Sequence, residues 1–314
     1  SPSPGLGLVI TDIDGRGGND IFVANDMKAN HLWIRSGESD SQSSGFIDAA
    51  IARGVAYGPS GTALACMGIA AADFDENGFL DLHITNFTDQ WTNHYMQNSE
   101  NLFDDMTLPF GLDSSSHKML GFGTEALDYD NNGTFDLVTG NGHIDDLSHE
   151  GKPFEMPTQF FVGDRATLLE TNVSGDPGYW NANHLTRGLV TLDWNNDGRT
   201  DFATSDLKEP LALLENRTET DHHWVQLQLV GTDCERDAIG AIVTLHVSDG
   251  RRVKQMVQTG DGYMSKNQSL LSVGLGDADR IEKVEIRWPD GSNQVVGPIA
   301  TDRRWLITQH EPPF

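Results

Sequence analysis

Short apolar runs recur along the chain, each broken by a polar turn. "GLGLVIT" starts at Gly5, "MGIAAA" at Met67, "GFGTEAL" at Gly121 and "RGLVTL" at Arg187. Each contains glycine and each leads into an acidic stretch. A second alternating run then follows: "DIFVAN" from Asp20, "DLHITN" from Asp81, "DLVTGN" from Asp136 and "DFATSD" from Asp201. Period-two alternation on both sides of a polar turn predicts strand, loop, strand in every copy. Further apolar runs come at similar offsets: "HLWIRS" and "GFIDAA" after the first loop, "NLFDDM" after the second, "TQFFVG" and "ATLLET" after the third, "LALLEN" after the fourth. Helical periodicity is weak throughout. Units of about four short strands, repeated around an axis, predict an all-β fold, a β-propeller of four-stranded blades. The alternative is a β-sandwich whose loops resemble one another by chance.

The four acidic stretches share one register. They begin at Asp12, Asp73, Asp128 and Asp193, with spacings of 61, 55 and 65 residues. In the second, positions 1, 3 and 5 are Asp73, Asp75 and Asn77, position 6 is Gly78, position 7 is Phe79 and position 9 is Asp81. Alternate side chains at 1, 3 and 5 can aim oxygens at one centre, and the Phe79 carbonyl can join them. A hard cation that accepts six to eight irregularly placed oxygens, Ca²⁺ above all, would cancel the repulsion among the carboxylates. The third stretch offers Asp128, Asp130, Asn132, the Thr134 carbonyl and Asp136, and the fourth Asp193, Asn195, Asp197, the Arg199 carbonyl and Asp201. The first offers Asp12, Asp14, the Gly18 carbonyl and Asp20, with Arg16 where an oxygen is expected. That departure predicts a weaker site, one whose guanidinium replaces the metal, or one that uses another oxygen. An EF-hand would need a bidentate Glu at position 12 between helices. Position 12 is Val23, Ile84, Thr139 or Thr204, so Asp at position 9 has to close the loop. The expectation is about three to four Ca²⁺ ions in structural sites. For any single loop the alternative is an Asx-turn without metal.

Composition narrows the partners. Of 314 residues, 47 are acidic and 21 basic, a formal net charge of −26. Phosphate backbones need Lys and Arg, so nucleic acid is excluded as the expected partner. No apolar run is long enough to span a bilayer. The two cysteines, Cys66 and Cys234, have no zinc spacing; they predict either a disulfide or two isolated thiols. The opening Ser1-Pro2-Ser3-Pro4 reads as a linker or trimmed end, and predicts a mature or partial chain whose targeting segment is missing.

These loops resemble FG-GAP/VCBS-type repeats, the calcium-loop blades also seen in integrin α-chain propellers, over residues 5–216. Three copies match the motif D-x-[DN]-x-[DN]-G-x-x-D in full. Residues 222–308 resemble the ASPIC/UnbV segment that follows such repeats in the cartilage acidic protein 1 family and its bacterial relatives. The resemblance rests on Trp224, Leu227, Gly231, Gly240, Ala241, Gly262, Tyr263, Gly274, Gly276, Trp288, Pro289 and Gly291. The runs "WVQLQLVG", "AIVTLHV", "RVKQMVQT" and "KVEIRW" alternate as strands of a small β module. The resemblance implies about seven blades where four are counted, which leaves a fragment, degenerate blades or a four-bladed closure open.

One further cluster stands out. "GNGHIDD" from Gly140 places Asn141, His143, Asp145 and Asp146 together as a candidate ligand site; the alternative is a polar interblade loop. No GxSxG, HExxH or Walker loop occurs. The sequence therefore predicts a calcium-stabilised, secreted, cell-surface or periplasmic propeller that binds a protein or glycan. A polysaccharide-active enzyme with a site in the central funnel, and a structural subunit of a larger assembly, are the competing readings. Exposed aromatics such as Trp91 or Trp180 on a shallow face would favour binding.

Overall fold

A computed structural model describes residues 3–36, 45–174 and 177–314. Ser1 and Pro2 of the opening stretch lie outside the described residues. The fold is all-β, built from antiparallel meanders of the propeller-blade type. The first sheet runs β1 (Gly5–Thr11), β2 (Asp20–Asn25), β3 (His31–Arg35), β4 (Phe46–Asp48). The second runs β5 (Ile69–Ala72), β6 (Asp81–Ile84), β7 (Asn93–Gln97), β8 (Phe103–Asp105). The third runs β9 (Gly121–Leu127), β10 (Asp136–Asn141), β11 (Gln159–Gly163), β12 (Leu168–Glu170). The fourth has three strands among the described residues, β13 (Thr186–Leu192), β14 (Asp201–Asp206) and β15 (Ala212–Leu214).

Neighbouring sheets pack face to face, in chain order, through β1, β5, β9 and β13. Val9, Phe22 and Leu32 of the first sheet meet Ile69, Leu82 and Tyr95 of the second. Ala70, Phe74 and Met96 meet Leu137 and Phe161 of the third, and Leu127, Val138 and Phe160 meet Leu189 and Phe202 of the fourth. Each inner sheet is thus buried on both faces, which explains why β5, β6 and β7 carry no exposed residue. β7, "NHYMQ", has no apolar–polar alternation to signal it, and sequence reading passes over it.

The C-terminal module closes two sheets on one core. One has the order β19–β16–β23 (Leu271–Gly276, His223–Val230, Arg303–Thr308), with β16 and β23 parallel. The other has β18–β17–β20–β21 (Arg252–Met256, Ile242–Val247, Arg280–Arg287, Asn293–Val296), with β22 (Ile299–Ala300) added on β20. Val225, Leu245, Ile286 and Trp288 sit at its centre. Cys66 lies in the first blade core, Cys234 in the module, and both are free thiols. Burial pushes the Cys66 thiol up to about 12, so it is inert. Among the described residues no helix is long and apolar enough to cross a membrane.

The module sends a hairpin-like segment, residues 259–268, along the inner strands of all four blades. Thr259 pairs with Ile10 through reciprocal bonds of 2.9 and 3.1 Å. Gly262 pairs with Ile69 at 2.6 and 3.1 Å. Tyr263 packs edge-on against Phe122 of β9, and the Arg187 guanidinium lies 4.0 Å from the centroid of the same Phe122 ring. The segment then returns, where Asn267 Oδ1 accepts from Thr191 N at 2.8 Å and Gln268 Oε1 from Asp193 N at 3.1 Å. The segment thus crosses the inner strands of the four blades.

Candidate functional site: four acidic loops beneath the C-terminal module

The four loops between the first and second strand of each blade share a backbone. Position 4 is left-handed in each: Gly15, Glu76, Asn131 and Asn196 have φ between 58° and 72°. Position 6, Gly17, Gly78, Gly133 or Gly198, has φ between 85° and 95°, which is glycine's region. That turn lets the position-6 N–H donate back to the carboxylate at position 1. The bonds are 3.0 Å to Asp12, 2.8 Å to Asp73, 2.8 Å to Asp128 and 3.0 Å to Asp193.

The aspartate at position 9 has a task that its place in the motif did not reveal. Asp81 accepts from Phe74 N with one oxygen and from Gln97 N with the other, both at 2.8 Å. Asp136 does the same with Tyr129 N and Gly163 N, and Asp201 with Trp194 N and Asn216 N. Asp20 holds Asp14 N and Arg35 N. Each therefore ties its loop to the end of the third strand.

In three loops the carboxylates converge. Asp12, Asp14 and Asp20, then Asp73, Asp75 and Asp81, then Asp128, Asp130 and Asp136 each place one oxygen per residue within 4.8 Å of the others. Asp12 Oδ1, Asp14 Oδ2 and Asp73 Oδ1 are buried with no hydrogen-bond partner, a costly state for a carboxylate unless a cation meets it. These donor sets fit a hard divalent ion. The fourth loop, with Asp193, Asn195, Asp197 and Asp201, forms no such three-acid group. Arg16 reaches outward into solvent, with its Nε 3.6 Å from Asp14. At position 5, Asn77 and Asn132 turn their carbonyl oxygens onto the N–H of Phe79 and Thr134.

Without an ion, burial dominates the electrostatics. It raises Asp73 to about 7, with Asp75 adding repulsion, and Asp128 to about 7, with Asp130 beside it. Asp136 is raised to about 8 and Asp20 to about 6, again first by burial. Asp81 is pushed well up for the same reason.

All four loops lie under the module. Lys254 Nζ donates to the Gly78 carbonyl at 2.5 Å, His222 Nδ1 bonds the Asp130 carbonyl at 2.9 Å, and Arg287 pairs with Asp12. Gln226 donates to Asp193 at 2.9 Å. A methyl group on Gly274 would stand 1.9 Å from Asp128 Oδ2, so module and loop touch at van der Waals distance there. A cavity of about 160 Å³ remains between them, lined by Asp73, Asp128, Asp193, Lys254, Asp261 and Lys266. The module's side chains had no local signal at the sequence level, since Arg287 and Asp12 are joined only by the fold.

The residues of the cluster from Gly140 lie in different surroundings. Asn141 is buried, and its amide donates to Pro157 O at 2.8 Å and to Gln159 Oε1 at 3.1 Å. Asn86 makes the matching bonds in the second blade, to Trp91 O and Asn93, so this asparagine is a repeated strand-end tie. His143 is buried and accepts from Asp145 N, whereas Asp145 and Asp146 face solvent.

The comparisons with known proteins concern the two parts unequally. Residues 231–313 match the family model "ASPIC and UnbV", which is the C-terminal module. No curated protein matches the chain. Among solved structures, a lectin of Agrocybe aegerita that recognises non-reducing terminal N-acetylglucosamine is 14% identical, with 95% of this chain and 80% of that one covered at a TM-score of 0.43. The BP39L lectin of Burkholderia pseudomallei is 11% identical, with 97% and 89% covered at 0.40, and the Dos1 propeller 8%, with 90% and 65% covered at 0.36. At these scores no site or ligand carries over to this chain.

Proposed function

We propose that the protein is a calcium-stabilised, extracytoplasmic binding module that holds a protein or glycan on the face opposite its acidic loops. The observation that carries this reading is how the two ends of the blades are used. In an antiparallel meander the first and second connections lie at opposite ends of the sheet. The first connections are the acidic loops, consumed by the C-terminal module. The second connections leave apolar side chains exposed in every blade: Met27, Trp91, Ile144 and Leu207. Met264, at the tip of the axial segment, is exposed as well. Trp91 therefore sits on a face of the kind that favours binding, whereas Trp180 packs against Phe160 and Phe202. Large amphipathic side chains on fixed loops are the usual material of recognition surfaces. Calcium supports the reading through the fit of the loops, and millimolar free calcium outside the cytoplasm would keep them filled.

Glycan and extracellular-protein arrays probed in millimolar calcium test the proposal. Wild type is compared with the variant Met27→Ser/Trp91→Ala/Ile144→Ser. The expected result is a small set of positive ligands whose signal the variant lowers about tenfold or more, with Tm lowered by no more than a few degrees, since Met27 and Ile144 are more than half exposed and Trp91 is 37% exposed. Equal signals for both proteins, or no wild-type signal, would contradict it.

A further inference from the structure

Resting on the calcium reading above, we infer that only two of the four loops, those beginning at Asp73 and Asp128, are cation sites, and that arginines occupy the cation's role in the other two. The loop at Asp12 has three carboxylates and is met by two anchored guanidiniums. Arg287, from the far end of the chain, pairs with Asp12 and donates to the Gly15 carbonyl at 3.0 Å. Arg53 lies 3.6 Å from Asp14 and is fixed by a 2.8 Å bond to Asn101 O. In the loop at Asp193, Arg199 pairs with Asp197 and is held by Asn216 O at 3.0 Å. Arg304 stands 3.6 Å from Asp193, and both bond Gln226.

The other two loops differ in kind. Among the described residues no ion pair reaches Asp73, Asp75 or Asp81, nor Asp128, Asp130 or Asp136. Arg165 pairs with Glu76, outside the cluster. Lys254 meets a backbone carbonyl of the second loop. Near the third loop, His222 meets the Asp130 backbone carbonyl, and Arg251 is committed to Asp249 and to the Leu275 carbonyl. Asp12 Oδ1 and Asp14 Oδ2 in the first loop lack hydrogen bonds too, but each belongs to a carboxylate that a guanidinium meets, whereas Asp73 Oδ1 is buried and unpartnered on a carboxylate that no ion pair reaches. A divalent ion entering the second or third loop finds carboxylates with no ion-pair partner, with Lys254 beside the second loop but bonded to its backbone. One entering the first or fourth must sit against guanidiniums fixed by several bonds, and like charges at such distances repel strongly. The arrangement also explains why the module docks where it does. It carries Arg287 and Arg304 to the two loops that then need no metal, and leaves the other two to be neutralised by ions.

Native mass spectrometry of the whole chain titrated with calcium counts the ions. The expected result is two per chain, with one lost in Asp75→Ala and one in Asp130→Ala, and none lost in Asp14→Ala. Arg287→Gln is expected to gain a third ion, of affinity at least 100-fold above whatever the wild-type loop shows, roughly the effect of removing one fixed charge. Three or four ions in wild type, or loss of one in Asp14→Ala, would overturn the inference while leaving the calcium reading intact. No ion at all would overturn the calcium reading itself. The wild-type count decides between these even where a variant fails to fold.

Discussion

Metal-free protein, stripped by chelator and dialysed at neutral pH, is expected to melt roughly 10 °C below the same protein in millimolar calcium. Each filled loop contributes about 2.7 kcal/mol when free calcium is about 100 times its dissociation constant. Two loops give about 5 kcal/mol, and a chain of this size moves about 2 °C or more per kcal/mol. The gap also depends on pH with a definite sign. Without metal, Asp73 and Asp128 are raised to about 7 and Asp136 to about 8, chiefly by burial. A carboxyl raised in the folded state favours folding fully below its ordinary value, and that contribution vanishes as pH rises through the folded value. Metal-free protein is therefore more stable near about pH 5 than near about pH 8. A bound cation holds the same groups ionised, lowers them, and reverses the slope. Differential scanning fluorimetry across this range should show the calcium-dependent gap widening as pH rises. A gap that stays constant, or no gap at any pH, contradicts the role given to these carboxylates.

The second large effect belongs to the axial segment. Gly262→Val is expected to cost about 3–5 kcal/mol and lower Tm by several degrees or more. Gly262 has φ +84°, which a β-branched residue strongly resists. Its new Cβ would also fall 2.4 Å from Ser265 Oγ and 2.5 Å from Glu125 Oε1. Those groups cannot simply move away. Glu125 is fully buried, its other oxygen accepts from Asn267 at 2.7 Å, and the same amide donates to Asp261 at 3.0 Å. Burial raises both acids above the usual carboxylate range. Limited proteolysis should reveal cleavage within 259–268 in the variant and none in wild type. Met264→Ser, an exposed change two residues on, serves as the control and should shift Tm by no more than about 1 °C. Equal behaviour of the two variants would mean that the segment does not fasten the module to the blades.

Much of this architecture is legible in the sequence because the acidic loops repeat. A register of Asp, Asp or Asn, Gly and Asp marks the first turn of every blade, and the strands beside it alternate. The reading weakens where both faces of a strand are buried. β7 is invisible to a period-two search because its Asn, His, Tyr, Met and Gln all point into packed surroundings. His83 and His94 show the same thing: cross-strand partners, fully buried, with His83 lowered to about 3 by desolvation, they are packing residues of the blade. The loops' ligands were legible as residue types, yet the double backbone bond of each position-9 aspartate was not, since it depends on where the third strand ends. Least legible was the electrostatics. Arg16 looks like the decisive departure in the first loop, but its guanidinium lies in solvent, and the cations that matter, Arg53 and Arg287, come from elsewhere in the chain. Only tertiary contacts hold that information.

Diffraction data collected from calcium-grown crystals at a wavelength where calcium scatters anomalously test the central claim most directly. The account predicts anomalous peaks about 2.3–2.6 Å from the oxygens of Asp73 and Asp75 and from those of Asp128 and Asp130. Loops that keep this geometry in millimolar calcium without such a peak would contradict it.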